Sequence, residues 1–456
     1  MTTSSTPFTF ESIELSSDRL PEPVELNRIV TDVEIFEHMA KPYLTARILI
    51  IDAANFYQSA DIVGSERIRI QIRSAEEDAK SIVKNFMISR VEKVDKIQDN
   101  TQVIAMHLVE DCYYISSLIN LNRTFSGKPS AMLKIIAKET LKKELLVNGE
   151  EQQNFKLIIP NKHPLEAMMW IVGKTSTARG YPFFLYSTLV GDELIYEDLA
   201  TILTRPALNA GNDIKYIASS TKAQDTMDAK QVRRIIKNHE FMGGGENLLS
   251  IIREGLVSSS FEVIDTLTEG TKTFVYDSKD DLFKKLILDE ILPKDQPNPP
   301  INFDEVIDSR KINEYRSMHT SSIGGSMSYR DSAEGENPFK YNRWQNAYGE
   351  NKTSAEYKLS PIKSGFDRML KKNPLTINVD GIEFIKGDFH KTIGSNIEVV
   401  FMNSQPEAED GADARDKKKS GKYMIYSIRH MFKMSADMYD VSATCIKIGN
   451  LRRSND

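Results

Sequence analysis

Two stretches far apart in the chain open alike and alternate alike, and that recurrence constrains the fold more than any other feature. VGSERIRIQIRS, Val63 to Ser74, and IGSNIEVVFMNS, Ile393 to Ser404, each begin with an aliphatic residue, glycine and serine. In the first, Ile68, Ile70 and Ile72 fall on one face and Arg67, Arg69, Gln71 and Arg73 on the other, the period-two pattern of a half-buried strand. An acidic connection follows each strand, SAEEDAK in one copy and the longer SQPEAEDGADARDKKKSG in the other. Next comes a strand whose apolar residues recur at matching intervals, Phe86, Ile88 and Val91 against Tyr423, Ile425 and Ile428. An alternating strand closes each copy, QVIAMHLV against DVSATCIKI. The pattern predicts a duplicated β-module, so that three chains about an axis would present six similar sheets.

A chain of 456 residues exceeds what one hydrophobic core organises, and its 40% hydrophobic and 27% charged content is that of a globular protein. The fold class expected is α+β and β-rich, with two related barrel-like domains in one chain and α/β insertion domains. Residues 1–22, polar and without a basic or apolar leader, read as a flexible arm. The first barrel domain is placed at 23–116 and an α/β insertion at 117–231, where SGKPSAMLKIIAKETLKKELL and HPLEAMMWIVGK carry helical spacing. The second barrel domain is split between 232–276 and 374–450 around an irregular insertion at 277–373 that contains PKDQPNPPINF, and 451–456 is a tail.

Several classes of function are disfavoured. The net charge of −6 argues against a chain that mainly grips phosphate backbones, and no apolar run reaches the length of a membrane span. Cys112 and Cys445 read as buried free thiols, and the seven histidines never take the spacing of a helical zinc site. Gly173, Lys174 and Thr175 imitate a phosphate loop, but Met168 stands where its first glycine belongs and a helix precedes it, so a helix C-terminus is expected. Gly243 to Gly245 read as a tight turn. Asp304, Glu305 and Asp308 read as a solvated helix start, not as the acid pair of a glycosidase. No catalytic, cofactor or metal residue is assigned.

IVGSERIRIQI and TIGSNIEVVFM, together with LTARILIIDAANFY, NLNRTFSGKPSAMLKIIAKE, PLEAMMWIVGKTSTARGYPFFLY and KYMIYSIRHMF, give the chain its likeness to a family. In order and texture it resembles the central baseplate hub protein of contractile-tailed phages, which is similar to the upper part of type VI secretion spike proteins. The resemblance implies two tube-like barrels per chain, and a homotrimer whose pseudo-sixfold ring joins the hexameric tail tube to the trimeric spike. It implies a non-enzymatic structural role in the virion tail after assembly in the host cytoplasm. Other baseplate proteins and the tape measure protein are further candidate partners, with neither a membrane nor a specific nucleic acid among them. A tail-associated cell-wall hydrolase is the alternative. The long insertion and the expanded acidic loop depart from the family's compact members.

Two sets of residues are candidates for contacts. The arginine face of the first Gly–Ser strand is open to three readings: a solvated face, a face that meets a neighbouring protomer, or the lining of a nucleic-acid lumen. Its counterparts in the second copy, Asn396, Glu398, Val400 and Met402, are not basic, which disfavours a continuous basic channel. Arg67, Arg69, Arg73 and Glu398 are therefore taken as an inter-protomer face. The charged loop, with Glu407, Glu409, Asp410, Asp413, Lys417, Lys418 and Lys419, is either a solvated loop or one that orders on docking with a partner ring.

Overall fold

A computed structural model of the chain describes residues 8–74, 81–98, 101–151, 154–208, 214–216, 234–241, 247–265, 270–284, 305–323, 361–365, 368, 374–381, 384–385, 392–401, 416 and 419–449. The first part is built from β1 (Phe8–Ser16), β2 (Val24–Glu25), β3 (Val30–His38), β4 (Thr45–Asp52), the short helix α1 (Phe56–Ser59), β5 (Arg67–Ser74), β6 (Ile82–Gln98) and β7 (Thr101–Glu110). Alternation forms these strands: in β5 the burial runs exposed, buried, exposed, buried from Arg67, with the isoleucines inside.

The sequence reading of an arm at residues 1–22 is corrected here. Phe8–Ser16 is a strand, paired antiparallel with β5 and burying Phe8, Phe10, Ile13 and Leu15. A register shift between Phe10 and Ser12 breaks the period-two pattern midway, which is why the alternation does not read as one strand.

After β7 comes helix α2 (Asp111–Leu118), then β8 (Thr124–Gly127), α3 (Pro129–Ile136, prolonged by a π-turn, Ala137–Leu141), β9 (Leu145–Asn148), β10 (Phe155–Ile158), α4 (Pro164–Lys174), β11 (Phe183–Ser187), β12 (Leu194–Asp198) and α5 (Leu199–Thr204). Proline opens α3 and α4, where its missing N–H costs nothing. β8 pairs with β10, and β11, β12 and β9 form a separate small sheet. A core of their own, including Met132, Leu133, Met168, Ile171, Leu185 and Tyr196, unites the helices and these sheets.

Next along the chain are β13 (Ile214–Tyr216), β14 (Asn238–Phe241), helix α6 (Leu248–Arg253), β15 (Ser258–Asp265), β16 (Gly270–Asp277), β17 (Val306–Ile307), β18 (Arg310–Lys311) and β19 (Ser317–Ile323). The last elements are β20 (Pro374–Asp380), β21 (Asn396–Phe401), β22 (Gly421–Lys433) and β23 (Met438–Gly449). Of the stretch 232–276, β14 joins the large sheet, whereas the hairpin β15–β16 pairs with β19 in a three-stranded sheet.

One sheet of 13 strands dominates, with neighbours in the order β14-β20-β23-β22-β3-β4-β7-β6-β5-β1-β2 and with β21 and β13 attached beside β22. Pairing in it is antiparallel except between β13 and β21. The order contains a repetition. β4, β7, β6 and β5 are neighbours in that sequence, and so are β20, β23, β22 and β21. Even a bulge recurs. The β6–β7 register skips between Ile88 and Arg90, and the β22–β23 register skips between Ile425 and Ser427. Ile88 exchanges backbone bonds with Ser65 and Glu66, as Ile425 does with Gly394 and Ser395. Gly64 and Gly394, just before these strands, both have positive φ (104° and 75°), a conformation glycine adopts without penalty. The two strand sets join where the second half of β22, Ser427–Lys433, pairs with β3.

Candidate functional site

Among the described residues no constellation of nucleophile, base and oxyanion donors emerges, so the surfaces and joints that assembly would use are the features to weigh. The arginine face comes first. Arg67, Arg69 and Arg73 are exposed on β5, but β1 lies alongside and supplies acids: Arg69 Nη1 is 3.7 Å from Glu14 Oε2 and Arg73 Nη1 is 3.5 Å from Glu11 Oε1. Ser81 and Gln71 donate hydrogen bonds to Glu11, and with Arg73 they hold its carboxyl below the usual carboxylate range. Exposed pairs of this kind contribute little to stability, because water and salt screen them. Glu398, on the equivalent face of β21, is half-buried.

That second face is covered by the α/β region. Asn396 is fully buried, and its Nδ2 donates towards the carbonyls of Ile202 (3.0 Å), Leu203 (3.3 Å) and Arg205 (2.9 Å) at the end of α5. The Ile202 carbonyl also accepts from the Arg205 N–H at 3.3 Å, while the carbonyls of Leu203 and Arg205 lie past the last helical bond and take the amide as a donor. Lys422 Nζ also donates to the Arg205 carbonyl, at 2.9 Å. Arg205 forms an ion pair with the buried Glu197, which accepts from the Tyr186 hydroxyl at 2.9 Å. Burial raises the Glu197 carboxyl, an effect Arg205 only partly offsets.

The segment between β11 and β12 fastens the same region to the other strand set. Leu189 is buried and its N–H donates to Glu37 Oε1 at 2.9 Å. Glu37 in turn lies 3.0 Å from His430 Nε2, whose Nδ1 is 2.8 Å from the Tyr439 hydroxyl. One carboxylate on β3 thus touches β22 and the α/β region together. Lys84 donates to the Gly191 carbonyl, and Lys143 Nζ lies 2.8 Å from Glu110 Oε1 and 2.5 Å from Asp192 Oδ1. Burial, the largest single influence, opposes the charged form of Lys143, but Glu110, Cys112 and Asp192 together outweigh it, and the ammonium is held above its usual range.

Glu110, Asp111 and Cys112 bring three ligand-type atoms together. Lys143 already neutralises Glu110 there, and burial, followed by the Glu110 charge, pushes the Cys112 thiol well up, away from the thiolate a metal needs. Both cysteines are free and buried, as expected.

The phosphate-loop imitation resolves as a helix end. Lys174 closes α4 with its ammonium 4.5 Å from the centre of the Trp170 ring, and Lys363 Nζ donates to the carbonyls of Val172 and Gly173, both at 2.8 Å. A cation on exposed carbonyls is a C-terminal cap, the reverse of an anion site. Glu305 and Asp308 are exposed beside the hairpin β17–β18, where Asp308 and Ser309 both have positive φ, so the expected helix start is a tight turn. Asp304 and Gly243 to Gly245 lie outside the described residues.

Of the charged loop, Glu407, Glu409, Asp410, Asp413, Lys417 and Lys418 also lie outside them. Lys419 is described: its N–H donates to Asp416 Oδ1 at 3.1 Å and its carbonyl accepts from the Tyr423 hydroxyl, in the turn leading into β22. Sequence reasoning missed the joint residues Glu37, Lys143, Glu197, Arg205 and Asn396. No local signal marks them: Glu37, Lys143 and Asn396 have partners distant in the chain, and Glu197 and Arg205, 8 residues apart, meet only because α5 turns the chain between them.

No protein-family model matches the chain, and no curated protein matches it. Solved structures do. A tail protein from Neisseria meningitidis MC58 superposes with a TM-score of 0.52 at 11% identity, covering 96% of each chain, and therefore shares the fold. The 43 kDa tail protein of prophage MuSo2 from Shewanella oneidensis follows at a TM-score of 0.47 and 11% identity, with 96% of this chain and 98% of that one covered. An E. coli type VI secretion component, described as similar to bacteriophage T4 tail proteins, gives a TM-score of 0.41 at 9% identity over 96% and 79% of the two chains. The Neisseria protein, whose fold the chain shares, is a tail protein, one of the groups to which the sequence resemblance points.

Proposed function

We propose that the chain is a structural tail protein, the central hub of a phage-type baseplate. In this reading the two strand sets are related tube-type barrel modules. Three copies form a pseudo-sixfold ring that seats a trimeric spike on one side and the hexameric tail tube on the other. The observation that carries it is the repeated neighbour order β4-β7-β6-β5 and β20-β23-β22-β21, bulge included. Bulges are positional features, not accidents of packing, so the same bulge at the same step supports common descent of the two sets. The fold shared with the Neisseria tail protein supports the tail role. Threefold symmetry with two like modules per chain turns three subunits into six equivalent places.

The test is the mass of the purified chain in solution, alone and with its spike, by sedimentation or native mass spectrometry. A trimer is expected in at least one condition. A chain that stays monomeric in both overturns the reading.

A further inference from the structure

The two long strands β6 and β22 can be compared edge by edge. β23 takes one edge of β22 along its length, while the other edge is divided: β21 covers Gly421–Met424 and β3 covers Ser427–Lys433. β6 repeats the first two pairings, with β7 along one edge and β5 on the other as far as Met87. Beyond Ile88 on that side no strand pairs with β6 among the described residues. Among the described residues nothing takes the place corresponding to β3.

We propose that this edge of β6 takes β14 of a second copy of the chain, making between chains the joint that β22 and β3 make within one. The inference rests on the trimer reading and names its interface.

The choice of β14 follows from register. Glu34 of β3 faces Arg47, which faces His107, which faces Arg90. Glu240 of β14 faces Thr376, which faces Thr444, which faces Ser427. Arg90 and Ser427 are the residues just after the shared bulge, so Glu240 holds the position of Glu34. β14 also ends the sheet, as β3 would if β22 were absent. Past a second bulge between Val91 and Lys93, Lys93 faces Ala105 where Arg429 faces Ser442. In the joint within the chain, Arg429 Nη2 lies 2.6 Å from Glu34 Oε1. By register, the proposed joint therefore has a lysine and a glutamate at the two positions that hold an arginine and a glutamate in the existing one, and Glu240 is exposed. Head-to-tail contacts of this kind close into a ring, with joints within and between chains alternating round it.

Charge reversal tests the joint on the full-length chain: Lys93→Glu, Glu240→Lys and the double variant, each checked for an unchanged circular dichroism spectrum and melting temperature. The expectation is that each single reversal weakens trimer association roughly ten- to hundred-fold, the sum of three unfavourable cross-strand pairs, and that the double variant recovers most of it. Carbodiimide cross-linking of the unmodified protein supplies a second readout that needs no variant, an intermolecular peptide joining Lys93 to Glu240. If the unmodified chain is a trimer whose mass resists both single reversals and whose cross-links omit that pair, the trimer stands and this joint is overturned. In that case β6 is a solvent edge kept from self-pairing by its charges. If the unmodified chain is monomeric with and without its spike, the trimer reading falls and the joint with it.

Discussion

The Gly–Ser strands β5 and β21 hold equivalent places in their strand sets yet face different surroundings. β5 lies antiparallel to β1 and leaves Arg67, Arg69 and Arg73 exposed. β21 lies parallel to β13, and the end of α5 covers it, so that Asn396, at the register position of Arg67, is buried. The neighbouring register tells the same story. Glu110 faces Phe86 in the first set, while Lys447 faces Tyr423 in the second. Glu110 holds the Lys143 ammonium, and Lys447 is pushed down to about 8 by burial, which Asp416 opposes only in part. The backbone scaffold tolerates opposite charges at one position because hydrogen bonding between strands is indifferent to side chains. What covers each strand then decides which side chain fits.

Four measurements would sharpen or break this contrast. The largest effect is expected from Lys143→Met, which leaves the Glu110 carboxylate buried and uncompensated beside the Leu44 N–H it also accepts. A loss of about 3–5 kcal/mol is expected in chemical denaturation, and a loss below about 1 kcal/mol would mean that the site admits water freely.

Asn396→Ala comes next. Removing the amide strips the carbonyls at the end of α5 of a shared donor, at a cost of about 2–3 kcal/mol, whereas Arg67→Ala should stay within about 0.5 kcal/mol. Equal losses at the two positions would erase the distinction between a covered and an open strand.

The paired change Arg67→Glu with Arg69→Glu probes the inter-protomer reading of the open face. Folding stability should fall by under about 1 kcal/mol, since the Arg69–Glu14 pair is solvent-exposed, while self-association weakens measurably in sedimentation. An unchanged oligomer would leave this face solvated and assign its charges to solubility alone.

The last measurement concerns pH. Lys447 has a folded pKa of about 8, below the roughly 10.4 of a free lysine. Between those two values the unfolded chain binds more protons than the folded one, so stability rises with pH across that window. Below it the cost of charging the buried ammonium is present in full. Denaturation midpoints should climb from about pH 8 to about pH 10 in the unmodified chain and climb less in Lys447→Met. Parallel curves would place the Lys447 ammonium in water.

The strands of both sets were legible because alternation reports directly which face is apolar, and Phe86, Ile88 and Val91 against Tyr423, Ile425 and Ile428 carried even the spacing. β1 was not legible, although FTFESIEL is apolar at Phe8, Phe10, Ile13 and Leu15, because its bulge changes the parity of the pattern between the second and third of these. The helix end at Lys174 was legible from the absence of a preceding strand and glycine. Its cap was not, since Lys363 arrives from a remote part of the chain.

Local pattern, acting over a few residues, determined where the chain extends or coils, which side of each strand is buried, and that a module recurs. Tertiary structure alone decided that β22 runs on to pair with β3, that the α/β region lies against β21 and leaves β5 open, and that Glu37 meets both His430 and Leu189. The reason is physical. A strand's alternation is the same whichever neighbour it pairs with, and a buried polar side chain is chosen by partners that only the folded chain brings within hydrogen-bond reach.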